Sequence, residues 1–78
     1  MDRVVIYLKT ALFSEDKKEG HVPPHTMILE GNITDQPSGG FIVSVTGYRT
    51  GDNKALDGSP CSLYLPGGKI DHMLLLEG

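Results

Sequence analysis

The sequence predicts an all-β chain folded as a small, five-stranded, strongly bent antiparallel barrel. Three observations carry this. Apolar residues recur with period two far more clearly than with the helical period. Breakers arrive at short intervals, with 10 Gly and 5 Pro in 78 residues. A bending glycine falls inside the second predicted strand, and closure would remove the edges that so small a sheet exposes. At this length folding buries roughly 60% of the unfolded chain's surface, which suffices for one core, so residues 1–78 are read as a single domain.

From Arg3 to Lys9, Val4, Ile6 and Leu8 alternate with Arg3, Val5, Tyr7 and Lys9, which predicts strand one, with a run-on to Phe13 left open. Ser14-Glu15-Asp16-Lys17-Lys18-Glu19-Gly20 has an N-cap, acids before bases and a glycine stop, and reads as one helical turn or a loop. Val22-Pro23-Pro24 cannot continue it. Thr26 to Thr34 places Met27, Leu29 and Ile33 on one face of strand two, and Gly31 permits a sharp bend or close backbone approach. After the turn formers Asp35 to Gly40, strand three alternates Phe41, Val43 and Val45 with Ile42, Ser44 and Thr46. Gly47 to Pro60 reads as a long loop. Strands four and five, Cys61 to Leu65 and Lys69 to Leu76, flank Pro66-Gly67-Gly68 as a hairpin or a sharply bent continuation.

Hydrophobic residues make up 38% and charged residues 22%, ordinary globular usage that argues against disorder and against a membrane span. The net charge of −3 offers no general footprint for a polyanion. A lone Cys61 forms no intramolecular disulfide, and Val4 to Leu8 is shorter than a signal-peptide core, so a reducing, cytoplasmic setting is the expectation.

Three stretches resemble the Sm-like family of small barrels. Val4-Val5-Ile6-Tyr7-Leu8-Lys9 is similar to its first strand, and Leu29-Glu30-Gly31-Asn32-Ile33 through Ile42 to its first motif. Tyr64-Leu65-Pro66-Gly67-Gly68-Lys69-Ile70 is similar to its second motif. The resemblance, over about half the chain and in the right order, implies an Sm-like or more loosely SH3-like barrel. It also implies assembly into rings through the fourth and fifth strands, and single-stranded RNA as a ligand. The RNA signature departs from the family's. Pro66 stands where RNA-binding members carry Arg, Gly67-Gly68 where bacterial members carry Lys-His, and Phe41 near the base-contacting Asn.

Catalytic and metal sites are not expected. His21 and His25 have helical ligand spacing, but Pro23 and Pro24 between them forbid the helix. Asp71 and His72 beside Ser62 or Ser59 lack a nucleophile elbow, and Ser14-Glu15-Asp16-Lys17 matches a Ser-x-x-Lys motif without its companions. Gly51 to Gly58 lacks the ligand spacing of a calcium loop, and neither Gly-Gly pair leads into a phosphate-binding helix. For single-stranded RNA the residue types that stack and neutralise charge are Tyr7, Lys9, Tyr48, Arg49 and Lys54; Tyr48-Arg49 at the mouth of the long loop is the first choice, and with Lys54 it makes the candidate site.

Met73-Leu74-Leu75-Leu76 is apolar on both faces, which calls for a cover that a second subunit supplies most simply. Strict alternation sends Ile70, His72, Leu74 and Leu76 into the barrel and leaves Met73 and Leu75 as the oligomer interface. The expected function is a non-enzymatic homo-oligomeric binding module without cofactor, taking single-stranded RNA or, alternatively, serving as a protein interaction or assembly module.

Overall fold

The structure, a computed structural model, describes residues 3–11 and 22–76. The six strands are β1 (Arg3–Leu8), β2 (Ile28–Asp35), β3 (Gly40–Arg49), β4 (Ala55–Leu56), β5 (Cys61–Pro66) and β6 (Ile70–Leu76). A 3-10 turn, Gly67–Lys69, separates the last two. All strands pair antiparallel in one sheet of order β4-β3-β2-β1-β6, with β5 also paired to β3. The sheet is not closed. β5 and β6 are not paired with each other; the chain passes from one to the other through the turn, where Gly67 N–H donates to Gly39 O at 2.8 Å and Lys9 N–H to Lys69 O at 3.0 Å.

Five of the strands coincide with the predicted ones to within a few residues, and β4 is new. The segment expected to be a loop from Gly47 onward instead continues β3 to Arg49 and returns as β4, with Arg49 opposite Ala55 and Tyr48 opposite Leu56. Asn53, at φ 67°, makes the reversal between them. A two-residue strand has no period to read. The proposed turn at Ser14 to Gly20, Phe13 and His21 lie outside the described residues.

One face of the sheet carries the core. Val4, Ile6 and Leu8 of β1, Leu29 and Ile33 of β2, Val43, Val45 and Tyr48 of β3, and Leu65 of β5 form one buried cluster with Val22. Burying each such side chain contributes roughly 1.5–3 kcal/mol. Val22 precedes a tight entry into β2, where the Thr26 hydroxyl donates to Pro23 O at 2.8 Å. Leu8 N–H then donates to Met27 O, and Met27 N–H to Arg49 O, each at 2.9 Å.

Three register shifts interrupt the ladders. In β2–β3, Glu30 faces Gly47 while Gly31 faces Val45, so Thr46 is an extra residue; Ile33 faces Val43 while Asp35 faces Ile42, so Thr34 is another. Each of these threonines donates its hydroxyl across the bulge, Thr46 to Glu30 O at 3.4 Å and Thr34 to Ile42 O at 3.2 Å. In β1–β6, Tyr7 faces His72 while Leu8 faces Ile70, which leaves Asp71 extra. An extra residue in one strand reverses the inward and outward sets beyond it. Gly31 sits beside the first bulge, where a Cβ would collide with the backbone carbonyl of Ser44.

Candidate functional site

The bulges decide where the expected site residues point. In β3, alternation from Phe41, Val43 and Val45 would send Gly47 and Arg49 inward and Tyr48 outward. Thr46 reverses this. Tyr48 is 2% exposed and belongs to the core cluster. Its hydroxyl donates to Ser59 O at 2.7 Å and lies 3.2 Å from Cys61 Sγ. Burial, and then the contact with Cys61, pushes the phenol above the ordinary tyrosine value. A ring so placed has no free face for a base.

Arg49 lies on the opposite face, in an ion pair with Glu30, and its Nη1 donates to Asn53 Oδ1 at 3.1 Å. Lys54 is exposed in the β3–β4 reversal, where its backbone N–H donates to the Thr50 hydroxyl at 3.2 Å. The structure therefore does not bring Tyr48, Arg49 and Lys54 together as a stacking and charge platform. One is sealed in the core, one is paired with a carboxylate, and the third is exposed on a turn.

The C-terminal strand is reordered in the same way by Asp71. Ile70 and Met73, three residues apart, are both partly buried against the core cluster, because the extra residue between them restores the inward direction. The expected barrel fillers His72, Leu74 and Leu76 point outward instead, opposite Tyr7, Val5 and Arg3. Of the expected interface pair, Met73 thus packs on its own core, while Leu75 is 64% exposed. Leu74 is 49% exposed and Leu76 37%.

Beside these leucines the His72 ring stacks on Tyr7, with centroids 4.4 Å apart and planes 11° from parallel. Neighbours in a regular strand point apart, but at the bulge Asp71 Oδ2 reaches His72 Nδ1 at 3.0 Å. The sequence signal for this patch was the leucine run; the Tyr7–His72 pair gave none, because it depends on register. Lys69, at the end of the 3-10 turn, donates from Nζ to the Thr10 hydroxyl at 3.4 Å.

Among the described residues, no group of three or more His, Cys, Asp or Glu side chains is placed to hold a metal ion, and no helix is long and apolar enough to cross a membrane. His25, one of the two histidines at helical ligand spacing, lies at φ 65° in the entry to β2. The assembled feature is therefore an edge: among the described residues β6 pairs only with β1, and three consecutive leucines stand exposed along it. Compared with known proteins, the chain matches no family model, no curated protein and no solved structure.

Proposed function

We propose that the chain is a non-enzymatic, self-assembling module whose subunits meet at β6. The observation that carries this reading is that edge, with Leu74, Leu75 and Leu76 exposed on a strand that, among the described residues, has a neighbour on one side only. Soluble chains blunt such edges with charges, prolines or covering elements, and from Met73 to Leu76 there is neither a charge nor a proline. The Sm-like or SH3-like barrel belongs to the same proposal. It is supported by the three-residue link that joins β5, paired to β3, directly to β6, paired to β1. A cytoplasmic setting suits the free thiol of Cys61.

Single-stranded RNA is the weaker reading, since its stacking residue Tyr48 is buried and bonded. Sedimentation velocity from low to high micromolar concentration tests the assembly reading, with labelled poly-U titrated at two salt concentrations alongside. The expected result is a mass that rises with protein concentration and falls back to monomer in Leu75→Lys. A chain that stays monomeric at high micromolar concentration refutes it.

A further inference from the structure

We propose that two copies of this chain join β6 to β6 across a two-fold axis at Leu74, making one continuous antiparallel sheet through both subunits. The inference rests on the assembly reading and specifies its partner, register and symmetry.

It follows from where the backbone groups of β6 point. Antiparallel ladders alternate hydrogen-bonded and non-bonded pairs, so successive residues turn their N–H and C=O to opposite sides. Leu8 N–H donates to Met27 O on the β2 side, and Lys9 N–H to Lys69 O on the other side. The odd residues Arg3, Val5 and Tyr7 therefore address β6, where their partners are Leu76, Leu74 and His72. Met73 and Leu75, lying between those, must turn their N–H and C=O away from β1, toward the open edge.

Of the registers open to a second β6, one keeps every pair within His72 to Leu76, clear of the Asp71 bulge and of Glu77. In a symmetric antiparallel pair, residues opposite each other share a face, so the axis passes through a residue. Placed at Leu74, it sets Met73 against Leu75 of the other copy and Leu75 against Met73, and all the free groups of both residues are used reciprocally. Placed at Met73, it would set Leu75 against the bulged Asp71. The Leu74 register also matches side chains: Leu74 meets Leu74 on the outer face, flanked by His72 against Leu76, while Leu75 and Met73 meet on the core face. All three exposed leucines of the strand fall within these pairs, and no Asp, Glu, Lys or Arg side chain does.

The other edge is a poorer partner. Gly67 N–H donates to Gly39 O, which by the same alternation turns the odd residues of β5 toward β3 and leaves Ser62, Tyr64 and Pro66 facing out. Pro66 has no N–H to offer, and Pro60, just before the strand, has none either. The edge of β6 carries no such block.

Cysteine cross-linking reads the register directly. In a Cys61→Ser background, Leu74→Cys places two thiols on the axis in a non-bonded pair, with Cα atoms about 4.5 Å apart, within disulfide range. Oxidised glutathione should convert most of it to covalent dimer. Leu76→Cys alone should stay monomeric on denaturing gels, because its copies lie roughly 14 Å apart along the strands, whereas His72→Cys with Leu76→Cys should dimerise. As a second variant, Leu75→Pro removes an N–H that faces away from β1; it should weaken association by about tenfold or more while the folded monomer persists. Association without Leu74→Cys cross-linking, but with ladders from Leu74→Cys combined with Tyr64→Cys, would overturn the two-fold and keep the assembly reading. A parent protein that never associates would overturn both.

Discussion

Replacing Gly31 by alanine probes the centre of the sheet, where β2 and β3 come closest. A Cβ built on Gly31 meets the Ser44 carbonyl oxygen, with Ser44 C at 2.9 Å and Val45 Cα at 3.0 Å. All of these atoms are backbone, so no change of rotamer makes room; the two strands must part beside the Thr46 bulge. Overpacking in a core typically costs about 1–3 kcal/mol, and a backbone obstacle belongs at the upper end of that range. The lower entropy of an unfolded chain with alanine returns about 0.4–1 kcal/mol. The net is a loss of roughly 2 kcal/mol, which for a chain of this size lowers the melting temperature by on the order of 10–15 °C. Gly68→Ala is the matched control, since nothing lies within 4 Å of its Cβ position. Thermal and urea unfolding by circular dichroism compare the two at one low protein concentration, which keeps any contribution from association constant. Equal melting temperatures for Gly31→Ala and Gly68→Ala would refute the close approach and the register built on it.

Tyr48→Phe keeps the ring in the core and removes the hydroxyl that bonds Ser59 O, so urea unfolding should show a loss of about 1 kcal/mol. The same phenol makes stability fall in alkali. Unfolding returns it to an ordinary value near 10, so above about pH 10 the unfolded chain gives up a proton that the folded chain keeps. Stability from this group is intact below that pH and declines above it by up to about 1.4 kcal/mol per unit; Tyr48→Phe should flatten the decline, and an unchanged slope would count against the burial of the phenol. His72→Ala removes the stack on Tyr7, and at this exposed site unfolding should register about 0.5–1 kcal/mol, with no loss indicating that the rings contribute nothing in solution.

Period two made most of this fold legible. The inward residues Val4, Ile6 and Leu8, Leu29 and Ile33, and Val43 and Val45 follow from alternation alone, and all lie in the core. The role of Gly31 was also readable, because a glycine within an apolar strand marks close backbone approach. What alternation does not carry is the register between strands. Thr46, Thr34 and Asp71 are extra residues only relative to a partner, and nothing in their own neighbourhood marks them as such. Met73, Leu74, Leu75 and Leu76 lie beyond Asp71, so alternation assigned each to the wrong face, while Tyr48 lies beyond Thr46 in a stretch that read as a loop, so its burial had no period to show it. β4 was hidden for a different reason: two residues are too few for any period.

The Asp71 bulge also explains why the end of the chain presents an apolar edge. Without the extra residue, Ile70, His72, Leu74 and Leu76 would share the inner face, and the imidazole would need a partner inside the core. With it, Ile70 and Met73 supply the apolar contacts, while His72 finds Tyr7 and Asp71 at the surface. The consequence is that Leu74 and Leu76 turn outward, and Leu75, though inward in direction, is left exposed. Leucines then stand on both faces of a strand whose free N–H and C=O groups belong to Met73 and Leu75. The opposite edge offers Ser62, Tyr64 and a proline instead. One chain thus carries one blunted edge and one open edge, and that asymmetry favours pairing between like edges over a head-to-tail chain of subunits.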